Sequence, residues 1–134
     1  MGKDTTSGSN IENNTVYKNN GYGLFAGDDA KNTKVTNNIV YLNQGGNIGV
    51  QNPSETVISH NLTSDPLFVN AATNDFHLRP ESSAIDKGEL LNSISKDFTD
   101  TPRPQGSGYD IGAYEEIPEA DNTPPAVPQS LVAY

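Results

Sequence analysis

The sequence predicts an all-β protein, a right-handed parallel β-helix of about three coils of 23–24 residues with an irregular C-terminal cap. Three observations predict it: a repeat of that length, asparagines that recur at one place in each repeat, and short alternating segments broken by Asn, Gly or Asp. No stretch has the 3.6-residue hydrophobic period of a helix. We therefore predict that each repeat forms one coil of short strands joined by tight turns.

The repeat is visible when the chain is aligned with itself. Residues 11–19 (IENNTVYKN) align with residues 35–43 (VTNNIVYLN) at a shift of 24, and a weaker match at residues 58–63 (ISHNLT) follows after a further 23. The same offset places Leu24 on Ile48. A leucine-rich repeat is similar in length, but its units need several leucines, and these units have at most one or two. The repeat therefore favours a β-helix over a leucine-rich solenoid.

Asn14, Asn38 and Asn61 fall at the same place in successive repeats, and we expect them to form a ladder of stacked amides. In such a ladder each side-chain amide donates to the carbonyl of the next, and Asn tolerates the left-handed backbone of a sharp corner. Each hydrogen bond contributes roughly 0.5–1.5 kcal/mol. Because Asn38 has partners on both sides, it is predicted to contribute more stability than Asn14.

The composition disfavours several function classes. Seventeen acidic against eight basic residues give a formal charge of −9, which would repel a nucleic acid. The chain has no cysteine, so a disulfide framework, a thiol nucleophile and a Cys-ligated zinc are excluded. Its longest apolar runs are only a few residues, so we expect no insertion into a membrane.

The repeat stops after residue 64, and a series of different motifs follows. In order they are DPLF at 65–68, DFHLRPESSAID at 75–86, DFTDTPRP at 97–104 and DIGAYE at 110–115. This succession resembles the C-terminal end of secreted bacterial right-handed β-helix proteins, a group that includes polysaccharide-lyase-like proteins and "choice-of-anchor" surface proteins. The resemblance extends over most of the chain and implies coils followed by a cap that hides the last apolar layer.

These changes along the chain predict four regions. Residues 1–9 would be a leader or part of an upstream coil, residues 10–64 the β-helix coils, and residues 65–118 the cap. Residues 119–134 look like a Pro-rich linker followed by the first strand of a fibronectin type III domain. We therefore expect a piece of a longer modular protein that is extracellular or on the cell surface. Because no cap precedes the first coil, end-to-end self-association through the N-terminal coil is a further expectation.

A candidate carbohydrate site follows from the equivalence of Tyr17 and Tyr41, which stacking would place roughly 4.8 Å apart. Flat aromatic faces with amides beside them suit sugar rings and their hydroxyls. The alternative is that stacked tyrosines stabilise the β-helix without any ligand, which the absence of tryptophan favours. The predicted carbohydrate-binding residues are Tyr17, Tyr41, Tyr22, Lys18, Asn19 and Asn43.

A candidate metal site lies in the loop that contains Asp28 and Asp29. The two carboxylates are adjacent and follow a glycine, so they are candidate oxygen ligands for calcium, although a solvated turn is the commoner outcome for such a pair. His60 and His77 are interpreted as structural residues rather than ligands or bases. Calcium is the one cofactor that the sequence suggests.

The sequence does not indicate a catalytic residue. β-Elimination of an acidic polysaccharide needs a base beside a cation that neutralises the substrate's carboxylate, and none of the lysines lies in a cluster of acids with ligand-like spacing. Arg79 and Arg103 are interpreted as members of structural ion pairs. The expected partner of Arg103 is an acid such as Asp86, Asp97 or Asp110.

The predicted function is polysaccharide binding or scaffolding by a β-helix segment of an extracellular carbohydrate-active protein. Two alternatives remain open. The chain is the non-catalytic C-terminal part of a polysaccharide lyase that cleaves uronic-acid polymers, or it is a surface adhesion module.

Overall fold

The computed structural model of the chain describes residues 8–119. Nine short β-strands form four small sheets, and the helical elements of the described residues are two 3-10 turns. In this part of the chain, no helix has the length and apolar character that crossing a membrane requires. The leader expected at residues 1–9 lies mostly outside the described residues, and so does the fibronectin-like strand expected within residues 119–134.

The strands have three to five residues each and are rich in Val, Ile, Thr and Tyr, the residue types that favour a pleated strand. In chain order they are β1 (Asn10–Glu12), β2 (Thr15–Tyr17), β3 (Tyr22–Ala26), β4 (Thr33–Thr36), β5 (Ile39–Tyr41), β6 (Gly46–Val50), β7 (Thr56–Ser59), β8 (Phe68–Asn70) and β9 (Asp75–Leu78). The 3-10 turns span Pro53–Glu55 and Ala71–Thr73.

Strands of successive repeats pair in parallel and in register. β1, β4 and β7 form one sheet in that order, β2 pairs with β5, and β3 pairs with β6. Val16 lies opposite Val40, and Tyr17 lies opposite Tyr41, at the 24-residue offset of the repeat. β8 and β9 form a separate antiparallel pair. The all-β class and the parallel pairing of repeats predicted from the sequence are therefore confirmed.

The turns between strands use left-handed backbone at equivalent places. Asn13, Asn37 and His60 have φ angles of 52°, 58° and 50°. Asn and His are among the non-glycine residues that enter this region most often. The sharp corner therefore belongs to the residue just before each ladder asparagine, whereas the sequence analysis assigned it to the ladder asparagine itself.

Asn14, Asn38 and Asn61 are joined by hydrogen bonds from one repeat to the next. Asn14 Nδ2 donates to Asn38 Oδ1, and Asn38 Nδ2 donates to Asn61 Oδ1, each at 2.9 Å. The backbone N–H groups of Asn14 and Asn38 donate to the same two acceptors, also at 2.9 Å. In each of these four hydrogen bonds, the donor belongs to the earlier repeat and the acceptor to the later one.

β5 of the second repeat is buried on both faces. Val35 and Val40 are buried on the inner side, where Val40 faces Gly23 of β3. Ile39 precedes Val40 in an extended strand, so its side chain points to the opposite, outer face. Ile39 is nevertheless buried as well. The outer face of β5 is therefore covered by another part of the chain.

That cover is the C-terminal segment, which we define as residues 65–116. Its apolar side chains form a cluster with Ile39, consisting of Phe68, Leu78, Ala84 and Ile111. Ile39 lies in one row with Thr15 of the first repeat and Leu62 of the third, and the segment contacts all three. The segment therefore runs along the side of the stacked repeats, whereas the sequence analysis expected a cap over their last layer.

Asparagines of the left-handed turns fasten the C-terminal segment to the repeats. Asn13 Nδ2 donates to the carbonyl oxygens of Asp110 at 3.0 Å and Gly112 at 3.2 Å. The side chain of Asn37 donates to the carbonyl of Glu89 and accepts from its N–H, both at 2.8 Å. Buried amides thus replace the water that these backbone groups would otherwise need.

Candidate functional site

Tyr17 and Tyr41 lie opposite each other and share the lining of an open cavity of about 290 Å³ with residues of the C-terminal segment. The ring centroids are 6.1 Å apart, with the planes inclined by 32°. Tyr17 also makes edge contacts with Phe68 at 5.6 Å and Phe76 at 5.7 Å, both in the C-terminal segment. The two tyrosines are half-buried against the apolar cluster of that segment. Part of each ring is therefore used for packing, and sugar binding by Tyr17 and Tyr41 stays a prediction from the sequence.

Asn19 and Asn43 form a second amide ladder. Asn19 Nδ2 donates to Asn43 Oδ1 at 2.9 Å, and the Asn43 amide in turn donates to the carbonyl oxygens of Val16 at 3.2 Å and Tyr41 at 3.3 Å. Asn43 is buried, whereas the neighbouring Lys18 is exposed. The hydrogen-bonding capacity of the Asn43 amide is therefore used inside the protein. The sequence analysis did not predict this ladder, although Asn19 and Asn43 occupy equivalent positions in the repeat.

Tyr22 lies in β3, a different sheet from Tyr17, and pairs with an aromatic residue that the sequence analysis did not select. The rings of Tyr22 and Phe25 have centroids 5.2 Å apart and planes inclined by 39°. They are 51% and 50% exposed. We call these two rings the aromatic platform.

The platform rings lie over β6, the strand that pairs with β3, because β6 has glycines at the two positions beneath them. Tyr22 is opposite Gly46, and Phe25 is opposite Gly49. A Cβ atom at Gly49 would come within 2.7 Å of Phe25 Cδ2 and 2.9 Å of Tyr22 Cε1. Any side chain at Gly49 would therefore push the rings off the sheet. The glycines were the signal that could have identified Phe25.

A polar loop borders the platform on the Phe25 side. Phe25, Asp29 and Lys31 share the lining of an open cavity of about 370 Å³. The loop is attached to the next repeat because the backbone N–H of Asp28 donates to Oε1 of Gln51 at 3.1 Å. Carboxylate, ammonium and amide groups therefore lie near the exposed aromatic rings.

In the part of the chain that the structure describes, Asp28 and Asp29 belong to no larger cluster of potential metal ligands. Within residues 8–119, no group of three or more His, Cys, Asp or Glu side chains is arranged to hold a metal ion. Asp28 and Asp29 are both exposed. Calcium binding here remains a prediction from the sequence.

The histidines hydrogen-bond or pair with nearby carboxylates on the surface. His77 Nδ1 lies 2.7 Å from Asp75 Oδ1, and the hydrogen bonds from His77 lower the pKa of Asp75. His60 Nδ1 lies 3.7 Å from Glu89 Oε2.

The family described as a right-handed β-helix region matches residues 4–76. This chain belongs to that β-helix family. Comparisons with curated proteins and with solved structures found no match. The matched residues of the β-helix include all strands of the three parallel sheets, the two amide ladders and the platform.

A buried charge cluster lies beyond the matched part of the β-helix, in the C-terminal segment. Arg103 Nη1 donates to Glu115 Oε2 at 2.7 Å, and the two side chains are 1% and 0% exposed. Arg103 also donates to the carbonyl oxygens of Asp110 at 3.1 Å and Gly112 at 2.9 Å. Its Nε is buried without a hydrogen-bond partner in the described part of the chain. The carboxylate paired with Arg103 is thus Glu115, whereas the sequence analysis expected an aspartate.

The aspartates of this cluster bind backbone N–H groups instead. Asp110 accepts from Asp86 at 2.8 Å and from Glu116 at 2.6 Å. Asp97 Oδ1 accepts from the backbone N–H groups of Thr99 and Thr101, which fixes the turn that holds Phe98 in solvent. These carboxylates therefore organise loops that have little regular secondary structure.

The environments shift the pKa values of these acids in opposite directions. Burial raises the pKa of Asp110 and of Glu115, outweighing the hydrogen bonds and the Arg103 charge that favour ionisation. Burial also opposes the ionisation of Asp97, but hydrogen bonds from Glu115, Thr101 and Thr99 outweigh it and lower the pKa of Asp97.

We expect these shifts to appear in an NMR titration of side-chain carboxyl carbons. Asp110 and Glu115 should titrate at higher pH in the folded protein than in the urea-unfolded chain, and Asp97 at lower pH. A raised folded pKa gives a contribution to stability that is complete below the unfolded value, about 4, and is lost as pH rises through the folded pKa. For Asp97 the contribution is present above the unfolded pKa and is lost as pH falls through the folded one.

The melting temperature should therefore rise as the pH falls from neutral toward the raised pKa values of Asp110 and Glu115. It should decrease again at lower pH, where Asp97 takes up its proton. Coincident titration of the three residues in folded and unfolded protein would contradict this assignment.

Proposed function

We propose that the chain is a polysaccharide-binding segment of an extracellular modular protein and that the platform of Tyr22 and Phe25 is its binding surface. In this proposal about three coils of 23–24 residues present the platform, and the C-terminal segment holds them together. The observation that carries the proposal is the pair of glycines, Gly46 and Gly49, beneath two half-exposed rings. Single exposed apolar residues are common on protein surfaces and need no function. Two adjacent rings seated on two facing glycines are a more specific arrangement.

The chemistry of the platform matches what a sugar ring requires. An aromatic face packs against the C–H groups of a sugar, and neighbouring polar groups take its hydroxyls. Asp29 and Lys31 lie beside Phe25, and Gln51 lies at the base of their loop. The rings need no rearrangement of the backbone to meet a ligand, because they are already on the surface.

The charge of the chain favours an uncharged polymer. A formal charge of −9 repels uronic-acid polymers such as pectin and alginate at low ionic strength. Lys31 is the cation that shares a cavity with the platform, and Asp29 lies beside it. We therefore expect xylan or a glucan to bind more strongly than pectin or alginate.

Affinity electrophoresis on pectin, alginate, xylan and glucans tests the proposal. We expect at least one neutral polymer to retard the protein, and we expect Phe25→Ala or Tyr22→Ala to weaken that binding at least about tenfold, which corresponds to the loss of about 1.4 kcal/mol. Both side chains are half-exposed, so these changes should leave the fold intact.

Phe98→Ala is the matched control, because Phe98 is an exposed aromatic residue at 78% that lies off the platform. Retardation that survives Phe25→Ala but is lost with Phe98→Ala would contradict the assignment of the platform. If none of the four polymers retards the protein, the adhesion or scaffold alternative is favoured. Absorbance of an unsaturated uronate during incubation with pectin or alginate would show lyase activity and overturn the proposal of a binding role.

A further inference from the structure

Among the described residues, the strands of the first repeat have one unpaired edge each. Within residues 8–119, β1, β2 and β3 each pair on one side only. Lys34 N–H donates to the carbonyl of Ser9 at 2.8 Å, and Asn13 N–H donates to the carbonyl of Thr36 at 3.2 Å. Because backbone groups alternate in a parallel ladder, the N–H of Asn10 points away from β4. We call this side of β1, β2 and β3 the first-repeat edge.

The amide ladder gives the stack a direction. Its donors point from Asn14 to Asn38 and from Asn38 to Asn61. At the first-repeat edge the ladder therefore ends in an acceptor, Asn14 Oδ1, which has no donor among the described residues. The second ladder ends in the same way at Asn19 Oδ1.

The opposite end, which we call the third-repeat edge, is formed by β7 and Asn61. β7 pairs with β4 on one side and with no other strand in the described part of the chain. The N–H groups of Asn14 and Asn38 each donate to the next amide, whereas the N–H of Asn61 meets no acceptor within residues 8–119. This edge therefore ends in a donor.

Apolar side chains are open at both edges. Ile11, Val16 and Leu24 line an open cavity of about 650 Å³ beside the first-repeat edge, and residues of the C-terminal segment form its other wall. At the third-repeat edge, Ile58 lies opposite the buried Val35 and is 48% exposed. Burying such side chains against each other would stabilise a contact between the two edges.

We infer that copies of this chain associate head to tail, with the third-repeat edge of one copy on the first-repeat edge of the next. The contact continues both the parallel sheet β1-β4-β7 and the asparagine ladder, since Asn61 of one copy donates to Asn14 Oδ1 of its neighbour. Two first-repeat edges do not match in this way, because each ladder would present an acceptor to an acceptor. A head-to-tail contact leaves one free edge at each end, so it produces an open filament rather than a closed dimer.

The charge of the chain sets the conditions for this association. Copies that each carry a formal charge of −9 repel one another, and salt screens that repulsion. The filament should therefore lengthen with protein concentration and with salt concentration.

Sedimentation velocity of the full chain with two edge variants tests the inference. Asn10→Pro removes the outward N–H at the first position of an edge strand, where proline is tolerated, and Ile58→Lys places a charge on the other edge. Each variant alone should remain monomeric, because every contact needs one edge of each kind. An equimolar mixture should form dimers, with an average mass approaching twice that of either variant.

Val57→Lys is the matched control, because Val57 is 54% exposed on the outer face of β7, so that the charge does not enter the edge. It should associate like the unchanged chain. Leu24→Lys provides a second first-repeat variant if Asn10→Pro does not fold by circular dichroism. A monomeric unchanged chain at high protein and salt concentration would overturn the inference. Self-association of either edge variant alone, or a mixture that stays monomeric, would also overturn it.

Discussion

Replacing Arg103 by methionine is expected to lower the free energy of unfolding by about 3–5 kcal/mol, the usual cost of removing one partner from a buried ion pair. The change leaves the Glu115 carboxylate, which is fully buried, without its counter-charge. It also removes the donors to the carbonyl oxygens of Asp110 and Gly112. Urea denaturation followed by circular dichroism measures the loss.

An exposed ion pair provides the control for this prediction. Lys96 and Asp100 are 3.5 Å apart, with side chains 59% and 86% exposed. Lys96→Met should change the stability by less than about 0.5 kcal/mol. If Arg103→Met costs no more than Lys96→Met, then the buried pair does not hold the C-terminal segment in place.

Asn38→Ala is expected to lower the free energy of unfolding by about 3 kcal/mol, because several hydrogen bonds of roughly 1 kcal/mol each are lost together. Asn38 is fully buried, accepts from Asn14, and donates to Asn61 and to the carbonyl oxygens of Ile11 and Thr36. The substitution leaves buried partners unsatisfied on both sides of the second repeat.

The first member of the ladder is the matched control for Asn38. Asn14 is exposed, and its side chain donates to Asn38 and to the carbonyl of Glu12. Asn14→Ala should therefore cost only about 1 kcal/mol. Equal losses for the two alanine variants would mean that the continuous ladder is not the source of the stability.

The sequence predicted the stacking of the repeats because that information is periodic. A shift of 24 aligns Val16 with Val40, and parallel pairing follows when equivalent strands lie side by side. The packing of the C-terminal segment against the side of the stacked repeats was not predicted. The run Ile39-Val40-Tyr41, three apolar residues in a row, was the available signal. In an extended strand such a run is apolar on both faces, which indicates a cover on the outer face as well.

The contacts of the C-terminal segment could not be predicted in the same way. The segment has no repeat, so spacing along the chain does not indicate which acid reaches Arg103. Glu115 does so because the turns that Asp97 and Asp110 organise bring the two side chains together. Phe25 was overlooked because the repeat alignment pairs it with Gly49. A glycine opposite a phenylalanine looks like a mismatch between repeats, whereas in the structure it leaves space for the ring.

The attachment of Asn13 to Asp110 and Gly112 has a consequence for how the chain folds. Asp110 and Gly112 lie 97 and 99 positions after Asn13 in the sequence. Most of the chain must therefore be synthesised before the first repeat can form these hydrogen bonds. Contacts of such sequence separation slow folding, because a long loop must close before they form. A solenoid with only neighbour contacts can unravel one turn at a time. Here the late-arriving segment spans every layer, so the layers should melt as a single cooperative unit.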